Sequence, residues 1–109
     1  MELGEGKSQV APPSTQKIAW KMMGLESSWG KNNYSKCEEQ GKFNRYGFGI
    51  PGNGKYLCFE EDKDTEAVIK WIERHFEEGL TIAQLLCHYN TGQATDSCPY
   101  YQKFLKIKQ

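Results

Sequence analysis

The chain has 109 residues, 14 of them basic and 14 acidic, so its formal net charge is zero. That length suits one domain, and 38% hydrophobic and 13% aromatic residues can build one core despite a negative mean hydropathy. Charge balance speaks against a nucleic-acid partner or a surface held electrostatically on anionic lipid, and no apolar run approaches the roughly 20 residues of a membrane span or resembles a secretion signal.

Residues 1–13, MELGEGKSQVAPP, carry two glycines, two prolines and little that packs, and read as a flexible tail or linker. Residues 14–109 form the predicted domain. Ser14 or Thr15 is placed to cap a first helix through QKIAWKMMGL, with Ile18, Met22 and Leu25 on one face and Ala19 and Met23 beside them. Most of the glycines then fall in residues 30–59, which predicts loops and short strands. YGFGI and PGNGKYLCF suggest two short extended segments around a P-G-N-G turn. The acidic run Glu60, Glu61, Asp62, Asp64 precedes a helix that Asp64 or Thr65 is placed to cap. Its apolar positions are Ala67, Val68, Trp71, Ile72, His75 and Phe76, and Gly79 ends it. Thr81 and Gln84 form a capping-box pattern for a helix carrying Ile82, Leu85, Leu86 and Tyr89. NTG breaks that helix, and Ser97 is placed to cap a last one with Tyr101, Phe104 and Leu105. The fold class is therefore α+β, mainly α, with a small β-hairpin region after the first helix.

Cys37, Cys58, Cys87 and Cys98 allow three pairings, between which sequence alone does not choose. The local pairing, Cys37 with Cys58 and Cys87 with Cys98, is expected because each closes a turn-rich stretch. Reduced core thiols are the alternative, and a zinc site with His88 lacks any C-x-x-C spacing. Disulfides imply an extracellular or periplasmic location, and the chain then reads as a mature or excised domain.

Two constellations carry candidate chemistry. In GLESSWG, residues 24–30, Glu26 closes the first helix, where the macrodipole disfavours a negative charge. Trp29 follows three residues later. A ring against a carboxyl desolvates the ionised form and raises its pKa, which is how a general acid stays protonated near neutrality. In HYNTG, residues 88–92, Tyr89 ends an apolar stripe and Asn90 and Thr91 offer hydrogen bonds. The same residues read equally well as a helix end with Gly92 in a left-handed conformation. Tyr46, Phe48, Tyr56, Tyr100 and Tyr101 lie in loop-rich regions, where rings stack on sugars or fill cores. His75 and His88 have no nucleophile partner in the pattern.

The order of these motifs resembles the lysozyme-like superfamily that cleaves peptidoglycan. ESSWG with FGI is similar to the bacterial glucosaminidases, and HYNTG to the lytic transglycosylases. The similarity spans roughly residues 15–107. The glutamine of the second transglycosylase motif is absent, Gly49 standing near its place. The resemblance implies a lysozyme-like fold and cleavage of β-1,4 bonds between N-acetylmuramic acid and N-acetylglucosamine. It implies Glu26 as general acid and base, with Trp29, Tyr46, Phe48, Tyr89, Asn90 and Tyr101 contacting substrate. Neither cofactor nor metal is called for, the partner is peptidoglycan or a related N-acetylhexosamine polymer, and the protein is expected to be a monomer. Glu60, Glu61 and Asp62 are the candidates for a second acid. Without one, the sugar's own N-acetyl group attacks the anomeric carbon. A lysozyme-like module that binds glycan or protein without cutting it is the alternative.

Overall fold

The computed structural model describes residues 13–50 and 55–107. Its elements are α1 (Pro13–Ser27), α2 (Ser35–Glu38), β1 (Gly49–Ile50), β2 (Lys55–Tyr56), α3 (Lys63–Glu77), α4 (Ile82–Thr91) and α5 (Pro99–Lys106). The described part is mainly helical, as predicted.

Local chemistry explains most of the boundaries. Pro13 opens α1, one residue earlier than the predicted domain start. Proline suits a first helical turn because its fixed φ matches the helix and its missing N–H is not needed there. Ser14 and Thr15 therefore lie inside the first turn, and Thr15 is buried. The rest of the expected tail, residues 1–12, lies outside the described residues. Helix α2 was not predicted. It is a single turn in a stretch read as loop and strand, too short to show a period, and its buried Cys37 is held to Cys58.

Strands β1 and β2 pair antiparallel, Gly49 opposite Tyr56 and Ile50 opposite Lys55, and a further bridge joins Phe43 to Phe59. The expected P-G-N-G turn, residues 51–54, lies outside the described residues. Helix α3 begins at Lys63 after Asp62, which sits in the left-handed region at φ 67° without a capping bond. Neither Asp64 nor Thr65 is its cap, because the Asp64 carboxylate is claimed by Arg45. Helix α4 has the predicted capping box: Thr81 accepts from the Gln84 backbone and Gln84 from the Thr81 backbone. Gly92 closes it at φ 88°. Helix α5 is capped by Cys98 rather than Ser97, its Sγ accepting the Tyr101 N–H at 3.4 Å.

The core is shared by four helices. Ile18, Ala19 and Met22 of α1 meet Val68 and Ile72 of α3, Leu85, Leu86 and Cys87 of α4, and Tyr100 and Phe104 of α5. Burial of a side chain such as Ile72 or Leu85 stabilises by about 1.5–3 kcal/mol. Ile82 and Leu105, expected on apolar faces, remain 40% and 55% exposed. All four cysteines are paired, Cys37 with Cys58 and Cys87 with Cys98, as expected from the local pairing. Free thiols or a zinc site built on them are thereby set aside. Among the described residues no helix is long and apolar enough to cross a membrane.

A candidate acid site at the end of the first helix

Glu26 occupies the last turn of α1 and is half-buried. Burial raises its carboxyl above the ordinary value of 4.5, and the Tyr100 hydroxyl opposes part of that rise. Tyr100 stands at the start of α5, and its buried hydroxyl makes no hydrogen bond of standard geometry. Burial and the nearby Glu26 charge push that phenol upward, so it remains protonated beside the carboxyl. Gly47 covers the carboxyl from the third side. A Cβ there would lie 2.8 Å from Glu26 Oε1, and Gly47 has φ +64°, so glycine is required twice over. Gly47 is itself exposed, and Glu26 beneath it is only partly buried.

The loop that carries Gly47 is fixed at several points. Asn44 Nδ2 donates to the carbonyls of Phe48 at 2.6 Å and Leu57 at 2.7 Å, and its Oδ1 accepts the Phe48 N–H at 2.9 Å. The Asn44 N–H donates in turn to Asn33 Oδ1 at 2.8 Å. Tyr89 donates to the Tyr46 carbonyl at 2.6 Å, so α4 holds the same loop from below. Arg45 donates to the buried Asp64 carboxylate from its backbone at 2.9 Å, from Nε at 3.0 Å and from Nη2 at 2.7 Å. Burial alone would raise Asp64, but the Arg45 bonds and charge, with the Thr65 N–H, hold it below its ordinary value. Two carboxyls thus have opposite environments, one desolvated beside a phenol and one paired with a guanidinium.

ESSWG works differently from the expectation. Ser27 is buried; its Oγ donates to the Met23 carbonyl at 3.2 Å and accepts the Gly30 N–H at 2.9 Å, locking the turn after α1. Ser28, Trp29 and Gly30 all have positive φ, at 51°, 57° and 91°. This left-handed run sends the Trp29 ring back over Gly24 and against Trp20, with ring centroids 4.9 Å apart. Gly24 and Glu26 are about 200° apart around the helix. The indole therefore packs on another side of α1, and Glu26 owes its raised pKa to burial, with the Tyr100 hydroxyl opposing part of the rise. The predicted Trp29–Glu26 contact is corrected accordingly.

Of the other residues named from sequence, Phe48 and Tyr89 come to the Glu26 side, their rings 6.3 Å apart. Tyr46 joins them through its carbonyl. Its side chain is 2% exposed and its hydroxyl pairs with Thr65 Oγ1 at 2.8 Å, so the ring has no surface to offer a sugar. Tyr101 stacks on Phe104 along α5, with ring centroids 6.4 Å apart. Asn90 is exposed at the end of α4, and the Thr91 hydroxyl donates to the Cys87 carbonyl at 2.7 Å rather than into a cleft. Tyr100 and Gly47 were not singled out as site residues. The first looked like one aromatic among many, and only its fold position sets it against Glu26.

The candidate second acids are at the surface. Asp62 pairs with Arg45 at 3.3 Å and Glu60 with Lys42 at 3.8 Å, and Glu61 is exposed. His75 and His88 join Trp71 in an aromatic cluster, the two imidazoles 5.0 Å apart and His75 Nδ1 2.8 Å from Glu78. Among the described residues no group of three or more His, Cys, Asp or Glu side chains is arranged to hold a metal ion. A separate groove of about 560 Å³ runs between α1 and α3; Glu26 does not line it, but Arg45 and Tyr46 of the loop do. No family model, no curated protein and no solved structure matches the chain.

Proposed function

We propose that the protein is a lysozyme-like enzyme that cleaves the β-1,4-linked glycan strand of peptidoglycan, with Glu26 as general acid and base. The observation that carries the reading is the half-buried Glu26 carboxyl at the end of α1, raised by burial and faced by Tyr100 and the backbone of Gly47. A carboxyl with a raised pKa keeps its proton to higher pH than a free one and can donate it to a glycosidic oxygen as the C–O bond breaks. The resemblance of ESSWG, FGI and HYNTG to peptidoglycan-cleaving families supplies the substrate class.

Glu26 is only partly buried, so its proton can be delivered to a sugar at the surface. As the leaving oxygen takes the Glu26 proton, the carbonyl oxygen of the sugar's N-acetyl group attacks the anomeric carbon. The Glu26 carboxylate then takes a proton from the incoming hydroxyl, of water or of the sugar itself, as its oxygen bonds to the anomeric carbon and the acetamido C–O bond breaks. A lone acid suffices for this route, and the surface positions of Glu60, Glu61 and Asp62 agree with it. Tyr100 orients the carboxyl and Tyr89 positions the loop through Tyr46, while the motif resemblance assigns the exposed Asn90 to the sugar. The two disulfides favour an extracellular or periplasmic setting, where the wall lies.

Glu26→Gln keeps the shape but not the acidic proton. Release of soluble fragments from purified cell wall is expected to fall by about 10²- to 10⁴-fold, with the fold and wall binding retained. Mass analysis of the products distinguishes anhydro from reducing ends. An active Gln variant removes Glu26 from the mechanism. Unsubstituted protein that sediments with wall yet releases nothing returns the chain to the non-catalytic binding module.

A further inference from the structure

The groove between α1 and α3 lies outside the Glu26 site. Its volume, about 560 Å³, is that of a small-ligand pocket. Trp20, Met23 and Ile69 supply apolar walls, and Glu66, Lys70 and Glu73 line it from α3. Positions 66, 69, 70 and 73 share one helix face by their spacing.

Trp20 is 39% exposed, and burial alone does not account for how firmly it is backed. Its ring is buttressed by Trp29, which is itself 41% exposed. Holding Trp29 there takes a left-handed Ser28, a left-handed Trp29 and a glycine inside α1, since a Cβ on Gly24 would lie 2.5 Å from the indole. Left-handed non-glycine residues cost about 1 kcal/mol or more each, and a helix-interior glycine roughly another. The result is a fixed, solvent-facing indole beside a groove, an arrangement the core does not require. Strain retained around an exposed feature points from geometry toward function.

The chemistry of the rim narrows the ligand. Lys70 lies one helical turn from both Glu66 and Glu73, and Glu66 is paired with Lys63 at 3.3 Å. Arg45, at the far end, is committed to Asp64 and Asp62. Such a rim repels a polyanion and gives no concentrated negative site for a cation. It does supply acceptors and a donor for the hydroxyls of a neutral sugar, next to an indole face that suits the C–H face of a pyranose. The wall residues Arg45 and Tyr46 are followed directly by Gly47, which faces Glu26, so the groove adjoins the acid site through one loop.

The geometry points to a second saccharide site in which a neutral stretch of N-acetylglucosamine units stacks on Trp20 in the α1–α3 groove, separate from the Glu26 site. The choice of N-acetylhexosamine rests on the proposed glycan reading; the platform itself does not. The site would hold a strand while Glu26 acts on a neighbouring segment or on another strand.

The test is an NMR titration of the Glu26→Gln chain with a β-1,4-linked tetramer of N-acetylglucosamine. Resonances of Trp20, Met23 and Ile69 are expected to shift, with intermolecular contacts between sugar ring protons and the Trp20 indole. Trp20→Ala is expected to weaken binding at the groove by about tenfold or more while the fold persists. The indole contacts are read without substituting Trp20, so they decide the matter even where that variant does not fold. Shifts confined to Gly47, Phe48 and Tyr89, or no shifts at all, overturn the groove site. Cleavage of wall by the unsubstituted chain reports separately on Glu26. Groove binding without cleavage keeps this site and overturns the catalytic reading, and cleavage without groove binding does the reverse.

Discussion

Glu26 and Asp64 show how the same functional group is set to different tasks by its neighbours. Because burial raises the folded-state pKa of Glu26 above 4.5, the folded chain binds more protons than the unfolded one between 4.5 and that raised value. Stability contributed by this group therefore declines as pH rises through that window. Glu26→Gln removes the decline, so the variant is expected to be more stable than the parent at neutral pH and equal to it below the window. Denaturant melts at two pH values check this, and a Gln variant that is less stable at neutrality contradicts a desolvated carboxyl. Asp64 runs the other way. Its pKa is lowered from 3.8, so its contribution is present above 3.8 and is lost as pH falls through the folded value. Asp64→Asn breaks a buried pair from one side and is expected to cost about 3 kcal/mol at neutral pH. Tyr100→Phe removes the hydroxyl that stabilises the Glu26 carboxylate. The carboxyl should then titrate at still higher pH, followed by its carbon resonance, and the alkaline limb of the proposed wall cleavage should move up in step.

At the scale of the element, the turn after α1 separates what sequence conveys from what it conceals. Gly24 looks like a weak point in a helix, and Gly24→Ala would ordinarily add about 1 kcal/mol of stability. Here the added Cβ meets the Trp29 ring at 2.5 Å. The substitution is expected to give no gain in the parent chain and to displace the ring, while in a Trp29→Ala background it recovers the stabilising effect. A double-mutant cycle by chemical denaturation measures that coupling, and additivity within about 0.5 kcal/mol rejects the contact. Helices α3 and α4 were legible because their apolar residues repeat over many turns and the capping box is a local code. Helix α2 and the caps of α3 and α5 were not, because tertiary partners decide them. Cys37 is fixed by Cys58, Asp64 is taken by Arg45, and Cys98 caps where serine was the better local guess. The direction of the Trp29 ring was equally hidden, since three successive positive φ values reverse what spacing along the chain suggests.

The candidate site belongs to the whole molecule, assembled from α1 through Glu26, the loop through Gly47, α4 through Tyr89 and α5 through Tyr100. Motif spacing named Glu26 and Tyr89, but Gly47 and Tyr100 become partners only once the helices pack. Two covalent ties maintain that assembly, spanning 21 residues from Cys37 to Cys58 and 11 from Cys87 to Cys98. Restricting the unfolded chain makes each worth about 3 kcal/mol, slightly more for the longer loop. Total stability for a domain is about 5–15 kcal/mol, so losing both leaves little margin. Melting with and without reductant is expected to differ by more than 10 °C, on the order of 4 °C for each kcal/mol lost. The Cys87–Cys98 tie has a further, local consequence. Cys98 caps α5, and Tyr100 stands two residues later against Glu26. Replacing Cys87 and Cys98 together by serine is therefore expected to loosen Tyr100 and shift the Glu26 titration upward, in the direction of Tyr100→Phe. The two effects should not add when combined, because both act through one hydroxyl. A folded double-serine variant with an unaltered Glu26 titration would mean that the packing of Phe104 and its neighbours, rather than the disulfide, sets the position of α5.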